Sequence, residues 1–384
     1  GALDFEEIVF LGKGEINWII PDGVAHSVDI VQVKAAAENG ILTAHVDNDS
    51  SAAVYPVYRI KHVTENGYLG IVHPGGTFEM GNRDEADTEP YQQSEVLTKG
   101  MSDYVAYTGT NPKNPAILNN GTLNLASDGY LRLSSQGSGT HWHGGSRKWD
   151  LPADSNGEVG AKNFYLWFRL QFMTGLIAQT GLIQVMLTDA SNNLIAAFEV
   201  HKDDMVGNKA YAQAWVGGNS IREAFRWDFT PTIYEKQNSF IYAKGYEDIL
   251  KIGSKIRFFY YGKYYEINVP ELANVKVASV HVFIGQYASW NKLVTVMGVG
   301  ELRGRKDYVN KIKDVPNRYA AGSEIVIDTE YDSITVDGLP ANDELVDGSE
   351  FPMLTVGETD IEFYTSSWCK SHPTVSVEYR KRWL

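Results

Sequence analysis

The most regular alternation of apolar and polar side chains lies between residues 163 and 172. Its apolar positions are Phe164, Leu166, Phe168, Leu170 and Phe172, and its other positions are Tyr165, Trp167, Arg169 and Gln171. A period of two predicts a β-strand that buries the first set and places the second set on the opposite face. Segments 194–201 and 210–216 alternate in the same way. The residues that they add to the predicted non-core face include Glu199, Tyr211, Gln213 and Trp215.

Most of the remaining chain shows short β patterns separated by turn signals. Further strand-length runs occur at residues 28–33, 41–46, 54–60, 68–72, 256–261, 264–269, 277–285, 293–299, 324–328, 333–336, 360–364 and 374–383. The dipeptides Asn39-Gly40, Asn66-Gly67 and Asp337-Gly338 are typical of hairpin turns. Only residues 221–226 and 246–250 are predicted to form short helical turns. The pattern therefore predicts an all-β fold.

Residues 141–163 differ from the segments around them. They combine two Trp and two His with a turn-rich run at residues 152–157. Polar turn residues next to aromatics are typical of surface loops, which often carry function. We therefore predict a loop between two β-sheets that presents Trp142.

Two changes in composition divide the chain into three parts. Residues 82–94 are acidic and turn-like, and residues 303–314 mix basic and acidic side chains. We place the parts at residues 1–90, 91–310 and 311–384. The outer parts have 90 and 74 residues, and so small a half-domain buries too little surface to stand alone. We predict that the outer parts fold together and that the middle part is inserted into a surface loop, since such an insertion costs little loop entropy.

The composition is that of a folded protein and narrows the classes of partner. The chain has 384 residues, of which 43% are hydrophobic and 21% charged. Its net charge of -14 argues against nucleic acid, because affinity for a phosphate backbone comes from Lys and Arg. Cys369 is the only cysteine, so no intrachain disulfide can form. We find no membrane-spanning run and no signal-peptide pattern, and a start at Gly1 is typical of a shortened or processed product.

The C-terminal part resembles the second half of the galectin-like domain of siphophage distal tail proteins. The segments that carry this resemblance are residues 312–319, 322–328, 336–338, 348–354, 357–361 and 377–384. The middle part is similar to the carbohydrate-binding module of longer members of that family. The segments that carry this second resemblance are Trp142-His143-Gly144 and residues 151–157 and 160–163.

The resemblance implies a fold, a place and a role. The fold is a galectin-like β-sandwich interrupted by an inserted jelly roll that is similar to carbohydrate-binding modules. The role is that of a non-enzymatic structural protein of the tail tip, or baseplate, at the distal end of the virion tail. Its inserted module would bind cell-wall polysaccharide of a Gram-positive host during adsorption. Other tail proteins are implied partners. A homo-hexameric ring is expected of the full-length family rather than of this chain alone, because family members usually begin with a belt domain that we do not see ahead of residue 1.

Saccharide sites combine aromatic surfaces with a few well-placed polar groups. The candidate saccharide-binding residues are Trp142, Trp167, Arg169, Glu199, Tyr211, Gln213 and Trp215. They form one surface if their strands are neighbours. The alternative is that this face is covered by a loop or packs on the sandwich domain, and that Trp142 closes one end of the sandwich.

Metal and enzyme functions have less support. His141 and His143 share a strand face and could seat a metal ion, but no third ligand is evident. We predict no cofactor, although the oxygen-rich turns are compatible with a structural Ca²⁺ at an unlocated position. A cell-wall glycoside hydrolase needs two carboxylates across a cleft, for which Glu199 with Asp203 or Asp204 are the candidates. A purely architectural insert is the third alternative.

Overall fold

Strands from both ends of the chain assemble in one unit, which comprises Gly1–Glu89 and Ile312–Leu384, and Pro90–Lys311 form a second unit. The computed structural model describes residues 3–6, 11–15, 23–98 and 100–384. The helical elements of these residues are three single 3-10 turns, at Met101–Asp103, Pro270–Leu272 and Asn342–Glu344. No helix in the described ranges is long and apolar enough to cross a membrane. The predicted all-β fold is confirmed.

The described strands are numbered β1 to β31 in chain order. Those before the insert are β1 (Leu3–Glu6), β2 (Leu11–Gly14), β3 (Ala25–His26), β4 (Val31–Lys34), β5 (Ala36–Glu38), β6 (Ile41–Asn48), β7 (Val57–Lys61), β8 (Tyr68–His73) and β9 (Gly76–Gly81). Those of the insert and its connections are β10 (Thr88–Val96), β11 (Val105–Ala106), β12 (Leu118–Asn119), β13 (Thr122–Leu125), β14 (Tyr130–Ser135), β15 (Trp142–Asp150), β16 (Asn163–Met173), β17 (Gly181–Thr188), β18 (Leu194–Lys202), β19 (Ala210–Val216), β20 (Arg222–Phe229), β21 (Tyr246–Ile252), β22 (Lys255–Tyr260), β23 (Lys263–Asn268), β24 (Ser279–Tyr287) and β25 (Val296–Asp314). Those after it are β26 (Glu324–Asp328), β27 (Ser333–Val336), β28 (Leu339–Pro340), β29 (Gly357–Thr365), β30 (Thr374–Tyr379) and β31 (Arg382–Trp383).

The first unit is a sandwich of two sheets that mix strands from the two ends of the chain. One sheet has the order β28-β27-β26-β7-β30-β4 and the other has the order β5-β6-β29-β8-β9. Strand β7 alternates buried Tyr58 and Ile60 with exposed Arg59 and Lys61, so its apolar side enters the core between the sheets. Because β7 pairs with β26 and β30, neither end can complete this core without the other.

The second unit, the insert, is a larger sandwich. One sheet has the order β13-β14-β25-β16-β21-β22-β23, with β10 also paired to β25. The other has the order β11-β15-β24-β17-β18-β19-β20, with β12 also paired to β15. The five apolar positions predicted to face inward on β16 are all fully buried, as the alternation required. Phe198 on β18 meets Phe168 across the core, with ring centroids 6.0 Å apart.

Several local predictions are wrong. Residues 221–226 and 246–250 belong to strands β20 and β21 and not to helical turns. The Asn66-Gly67 pair does not close a hairpin, because β7 and β8 lie in different sheets. The predicted loop at 141–163 contains the nine-residue strand β15. Its loop-like composition has a packing reason, since a Cβ atom on Gly144 would lie 2.1 Å from the carbonyl oxygen of Ile284 on β24.

Candidate functional site

The seven predicted saccharide-binding residues do not share one surface. Trp167 and Arg169 lie on β16, whereas Glu199, Tyr211 and the other candidates lie on strands of the opposite sheet. All of them point away from the core, as the alternation predicted, but from opposite sides of the sandwich. The condition for a shared surface, that their strands are neighbours, is therefore not met for β16. The period of two fixes the side of a residue within its sheet and carries no information about which sheet the strand joins.

One side of the insert is closed by its own chain. We call the outer surface around Glu199, Gln213 and Trp215 the covered face. The segment between β11 and β12 lies on it, with Asn111 donating to the side-chain oxygen of Gln184 at 2.8 Å and Lys113 donating to Glu199 at 2.6 Å. Glu199 and Gln213 are only 4% and 3% exposed. The alternative in which a loop covers this face is therefore the one observed at these two residues.

Glu199 is the electrostatic centre of the covered face. Burial opposes its ionisation, but a hydrogen bond from His201, the charge of Lys113 and a hydrogen bond from Gln184 together lower its pKa to about 2. The carboxylate is therefore charged and fully engaged within the protein. A general acid for glycoside hydrolysis needs a raised pKa, which Glu199 lacks.

The aromatic rings of this side already have partners. The ammonium group of Lys113 lies 3.8 Å from the ring centroid of Trp215, and the guanidinium of Arg226 lies 3.7 Å from that of Tyr211. Trp142 is half-buried and packs edge-on against Tyr287 at 5.3 Å. Each of these rings is therefore in contact with a neighbouring side chain of the protein.

The histidines and acidic residues near these strands serve the fold. His143 is buried, and its two ring nitrogens each lie 2.8 Å from a backbone carbonyl oxygen, of Gln136 and Ala288. Asp204 accepts hydrogen bonds from three backbone amides of its own turn, which lower its pKa to about 2. Neither side chain is available as a metal ligand or a general acid in this conformation. No cluster of three or more His, Cys, Asp and Glu suitable for a metal ion occurs in the described part of the chain.

The opposite side of the insert carries a row of stacked planar groups. We call the surface formed by Arg303, Trp167, Tyr246 and Arg169 the aromatic face. Trp167 and Tyr246 stack with their centroids 5.3 Å apart and their planes 15° apart. The guanidinium of Arg303 lies 5.5 Å from the Trp167 ring, and that of Arg169 lies 4.6 Å from the Tyr246 ring. Each group holds its neighbour in place, so little rotamer freedom remains to be lost on binding.

The roles of the two arginines in this row differ. Arg169 donates from Nε to the carbonyl oxygen of Lys244 at 3.0 Å, and it also bonds to the carbonyl oxygen of Tyr242. It is therefore anchored to the backbone and positions Tyr246. Arg303 is exposed and makes no ion pair among the described residues, so its N–H groups can reach a ligand.

A cleft of about 630 Å³ adjoins the aromatic face on the same sheet. Its lining residues are Gln92, Gln93, Ser94, Tyr165, Leu250, Ile252, Arg257, Arg305, Asp307 and Tyr308. Arg305 lies over the Tyr165 ring at 4.8 Å and is held by both oxygens of Asp307, at 2.6 and 3.2 Å. Tyr308 is 52% exposed and has a backbone φ of 60°, a conformation that bulky residues rarely adopt. Amide, hydroxyl and guanidinium groups thus converge beside two tyrosine rings.

Sequence reasoning missed Tyr246, Arg303, Arg305 and Tyr308 as site residues. Tyr246 lay in a predicted helical turn. The strand alternation was not recognised there because the neighbouring inward position is occupied by a polar residue, Glu247. The arginines lay in a predicted domain boundary, whereas β25 continues through them as one strand of 19 residues. The signal that could have indicated a strand here is the alternation of Arg303 and Arg305 with Gly304, which is buried.

Comparison with known proteins identifies the end of the chain. Residues 302–383 match the family model described as siphovirus-type tail component, C-terminal domain. This stretch is similar to the C-terminal domain of siphovirus-type tail components, and we call it the tail-component domain. The resemblance drawn from residues 312–384 is thereby confirmed, and such a component belongs to the tail of the virion. The tail-component domain includes β26–β31, which complete the first unit. No curated protein matches the chain.

Several solved structures are similar to a little over half of the chain. The CBM2 module of the evolved Dit of Lactobacillus casei BL23 phage J-1 has 17% identity and a TM-score of 0.46, and the match covers 57% of this chain and 98% of that one. The β-glucanase of Bacillus licheniformis has 11% identity and a TM-score of 0.32, covering 57% and 96%. The alginate lyase of Alteromonas sp. 272 has 10% identity and a TM-score of 0.28, covering 58% and 95%.

Proposed function

We propose that this protein is a baseplate component of a phage tail whose insert binds host cell-wall saccharide through the aromatic face and the adjoining cleft. The observation that carries the proposal is the cleft itself, where exposed Tyr308 and stacked Arg305 lie beside the side-chain amides of Gln92 and Gln93. Saccharide sites need such a mixture, because pyranose C–H groups pack on rings while hydroxyls pair with planar polar groups. The covered face has fewer polar groups available to a saccharide, since Lys113 and Glu199 are hydrogen-bonded to each other there.

Assembly follows from the other unit. The tail-component domain would contact other tail proteins, and in a hexameric ring each copy would present one insert. Weak binding per insert is then multiplied, because linked sites act at a high effective concentration. A structural Ca²⁺ remains a prediction without a located site.

The proposal is tested with the full chain and purified host cell-wall polysaccharide, by calorimetry and by decoration of host cells. Trp167→Ala should weaken binding, whereas the matched change Trp215→Ala on the covered face should leave it intact. Equal loss in both variants would move the site away from the aromatic face. Failure of the unmodified protein to bind any host wall fraction would refute the adhesion role. Release of reducing ends from the polysaccharide would instead favour a hydrolase.

A further inference from the structure

Strand β25 contains one extra residue relative to its partner β16. Val299 and Leu302 both face the core although they are three positions apart, which a period of two does not allow. The two steps along β16 from Trp167 to Arg169 match three steps along β25, at the point where the register shifts. An insertion of this kind is a β-bulge, and it changes which side chains of the strand face outward.

The bulge places Arg303 outside the core. Continued alternation from Val299 would turn residues 301, 303 and 305 inward and would bury two arginines. Instead Arg303 is exposed, and its guanidinium lies 5.5 Å from the Trp167 ring. Glu301, within the bulge, has a φ of 52°, a conformation that residues other than glycine rarely adopt. Bulges are frequent next to functional sites, where they redirect a side chain.

Among the described residues, Arg303 has no counter-charge, unlike its neighbours on the outer side of this sheet. Those neighbours form the ion pairs Arg169–Glu301 at 3.4 Å, Arg257–Asp248 at 3.8 Å, Lys255–Glu266 at 3.1 Å and Arg305–Asp307 at 2.6 Å. In the part of the chain that the structure describes, Arg303 has neither an ion pair nor a hydrogen bond. The charges of the other arginines are thus balanced within the protein, and the charge of Arg303 is not.

An unbalanced guanidinium favours one kind of ligand. Its planar N–H groups match the oxygens of a phosphate or a carboxylate, and such charge-assisted hydrogen bonds are stronger than those to a neutral hydroxyl. The chain carries a net charge of -14, which repels a polyanion as a whole, so an anionic ligand is held where a local cation remains unbalanced. Arg303 supplies such a cation at the Trp167 end of the aromatic face.

We infer that the saccharide bound by the aromatic face is anionic, and that Arg303 binds its phosphate or carboxylate group. The inference rests on the proposed function and names the class of ligand for that site. Arg169, at the other end of the face, does not take this role, because its guanidinium donates to the backbone carbonyl oxygens of Lys244 and Tyr242.

The first test compares arginine variants of the full chain in calorimetric titrations with purified host wall polysaccharide. Arg303→Gln removes the unbalanced charge and should weaken binding about two- to fivefold. Arg303→Lys keeps the charge without the planar donors and should recover part of this loss. Arg226→Gln is the matched control, because it removes the same charge and a similar ring contact, with Tyr211 at 3.7 Å, from the opposite sheet. It should bind like the unmodified protein, and since the two Gln variants have equal net charge, a difference between them is local.

Salt and treated ligands then test the charge of the bound group. Raising the salt concentration from about 0.05 M to about 0.5 M should bring the Kd values of Arg303→Gln and the unmodified protein together, because screening weakens an exposed ion pair. Dephosphorylation of the polysaccharide with hydrofluoric acid tests a phosphate, and reduction of activated carboxyl groups tests a carboxylate. One of these treatments should weaken binding to the unmodified protein about two- to fivefold and leave binding to Arg303→Gln unchanged.

The outcomes distinguish this inference from the proposed function. Equal Kd values for Arg303→Gln and the unmodified protein would overturn the inference, and so would a polysaccharide whose affinity survives both treatments. In either case, continued binding by the unmodified protein would leave the proposed function standing. Absence of binding to every wall fraction would refute the proposed function, and the inference would fall with it.

Discussion

Tyr308 allows the cleft to be tested with two variants that differ only in backbone freedom. Its φ of 60° lies in the left-handed region, which costs an L-residue about 1–2 kcal/mol relative to glycine. Both Tyr308→Ala and Tyr308→Gly remove the same half-exposed ring, but only glycine also removes the strain. Part of the stability that glycine gains by removing the strain is offset, since glycine loses more conformational entropy on folding than alanine does, at a cost of about 0.5–1 kcal/mol. The difference between these ranges is about 0–1.5 kcal/mol, so the glycine variant should be more stable than the alanine variant by roughly 0.7 kcal/mol.

Binding should respond differently from stability. If Tyr308 packs on a saccharide ring, both variants lose the same contact, worth about 1–1.5 kcal/mol, which corresponds to roughly a five- to tenfold weaker Kd. The assay combines urea unfolding with calorimetric titration of the wall polysaccharide into the full chain. Two equally weak binders with unequal stabilities are the expected result. Unchanged binding would remove Tyr308 from the site, and an alanine variant as stable as the glycine variant would refute the backbone reasoning.

Three further outcomes follow from named contacts. Arg303→Ala should weaken polysaccharide binding by about two- to fivefold, because it removes the N–H donors of an exposed guanidinium. It should lower the free energy of unfolding by no more than the roughly 0.5–1 kcal/mol of the exposed contact with Trp167, and a larger loss would instead assign Arg303 to the fold. The pKa of Glu199 in the folded protein, about 2, lies below its ordinary value of 4.5. The charged carboxylate therefore stabilises the insert at pH values above about 4.5. The difference in free energy of unfolding between the unmodified protein and Glu199→Gln should therefore be largest near neutral pH and should shrink as the pH falls from about 4.5 towards 2. Urea unfolding at several pH values measures this difference, and a difference that does not change with pH would contradict the assignment. Phe198→Ala should lower the free energy of unfolding of the insert by about 3–5 kcal/mol and leave the thermal transition of the first unit unchanged, as measured by calorimetry. A shift of both transitions to lower temperature would indicate that the two units unfold as one cooperative body.

The side of each strand was predictable where every inward position is apolar. On β16 the alternation placed Phe164, Phe168 and Trp167 on the correct sides. It failed on β21, because Glu247 and Lys251 face inward. Lys251 is tolerated there since its ammonium donates to the carbonyl oxygens of Lys162 and Gly253, at 3.0 and 2.9 Å. Such pairing depends on distant segments, which a local pattern cannot reveal.

The composition of the candidate site was more predictable than its assembly. Trp167 and Trp215 were both correctly placed outside the core, yet they lie on opposite sheets. Lys113 belongs to a segment without any strand pattern, and nothing local indicates that it would cover Trp215 at 3.8 Å. Which strands become neighbours is decided by the whole set of pairings, so a surface that spans strands cannot be derived from one strand at a time.

Backbone strain, rather than aromatic stacking, connects the cleft with a second cavity of the insert, which is lined by Tyr246, Phe259 and Tyr261. Tyr261 and Tyr308 are the aromatic members of the non-glycine residues with positive φ in the described ranges, and each lines one of the two cavities of this sheet. Asparagine or glycine would fold at lower cost in either position. Strain of this kind persists where the side chain serves a purpose other than stability. Both rings are more than half exposed, so packing within the protein supplies little of that purpose, and contact with an external ligand is the role that we propose for them.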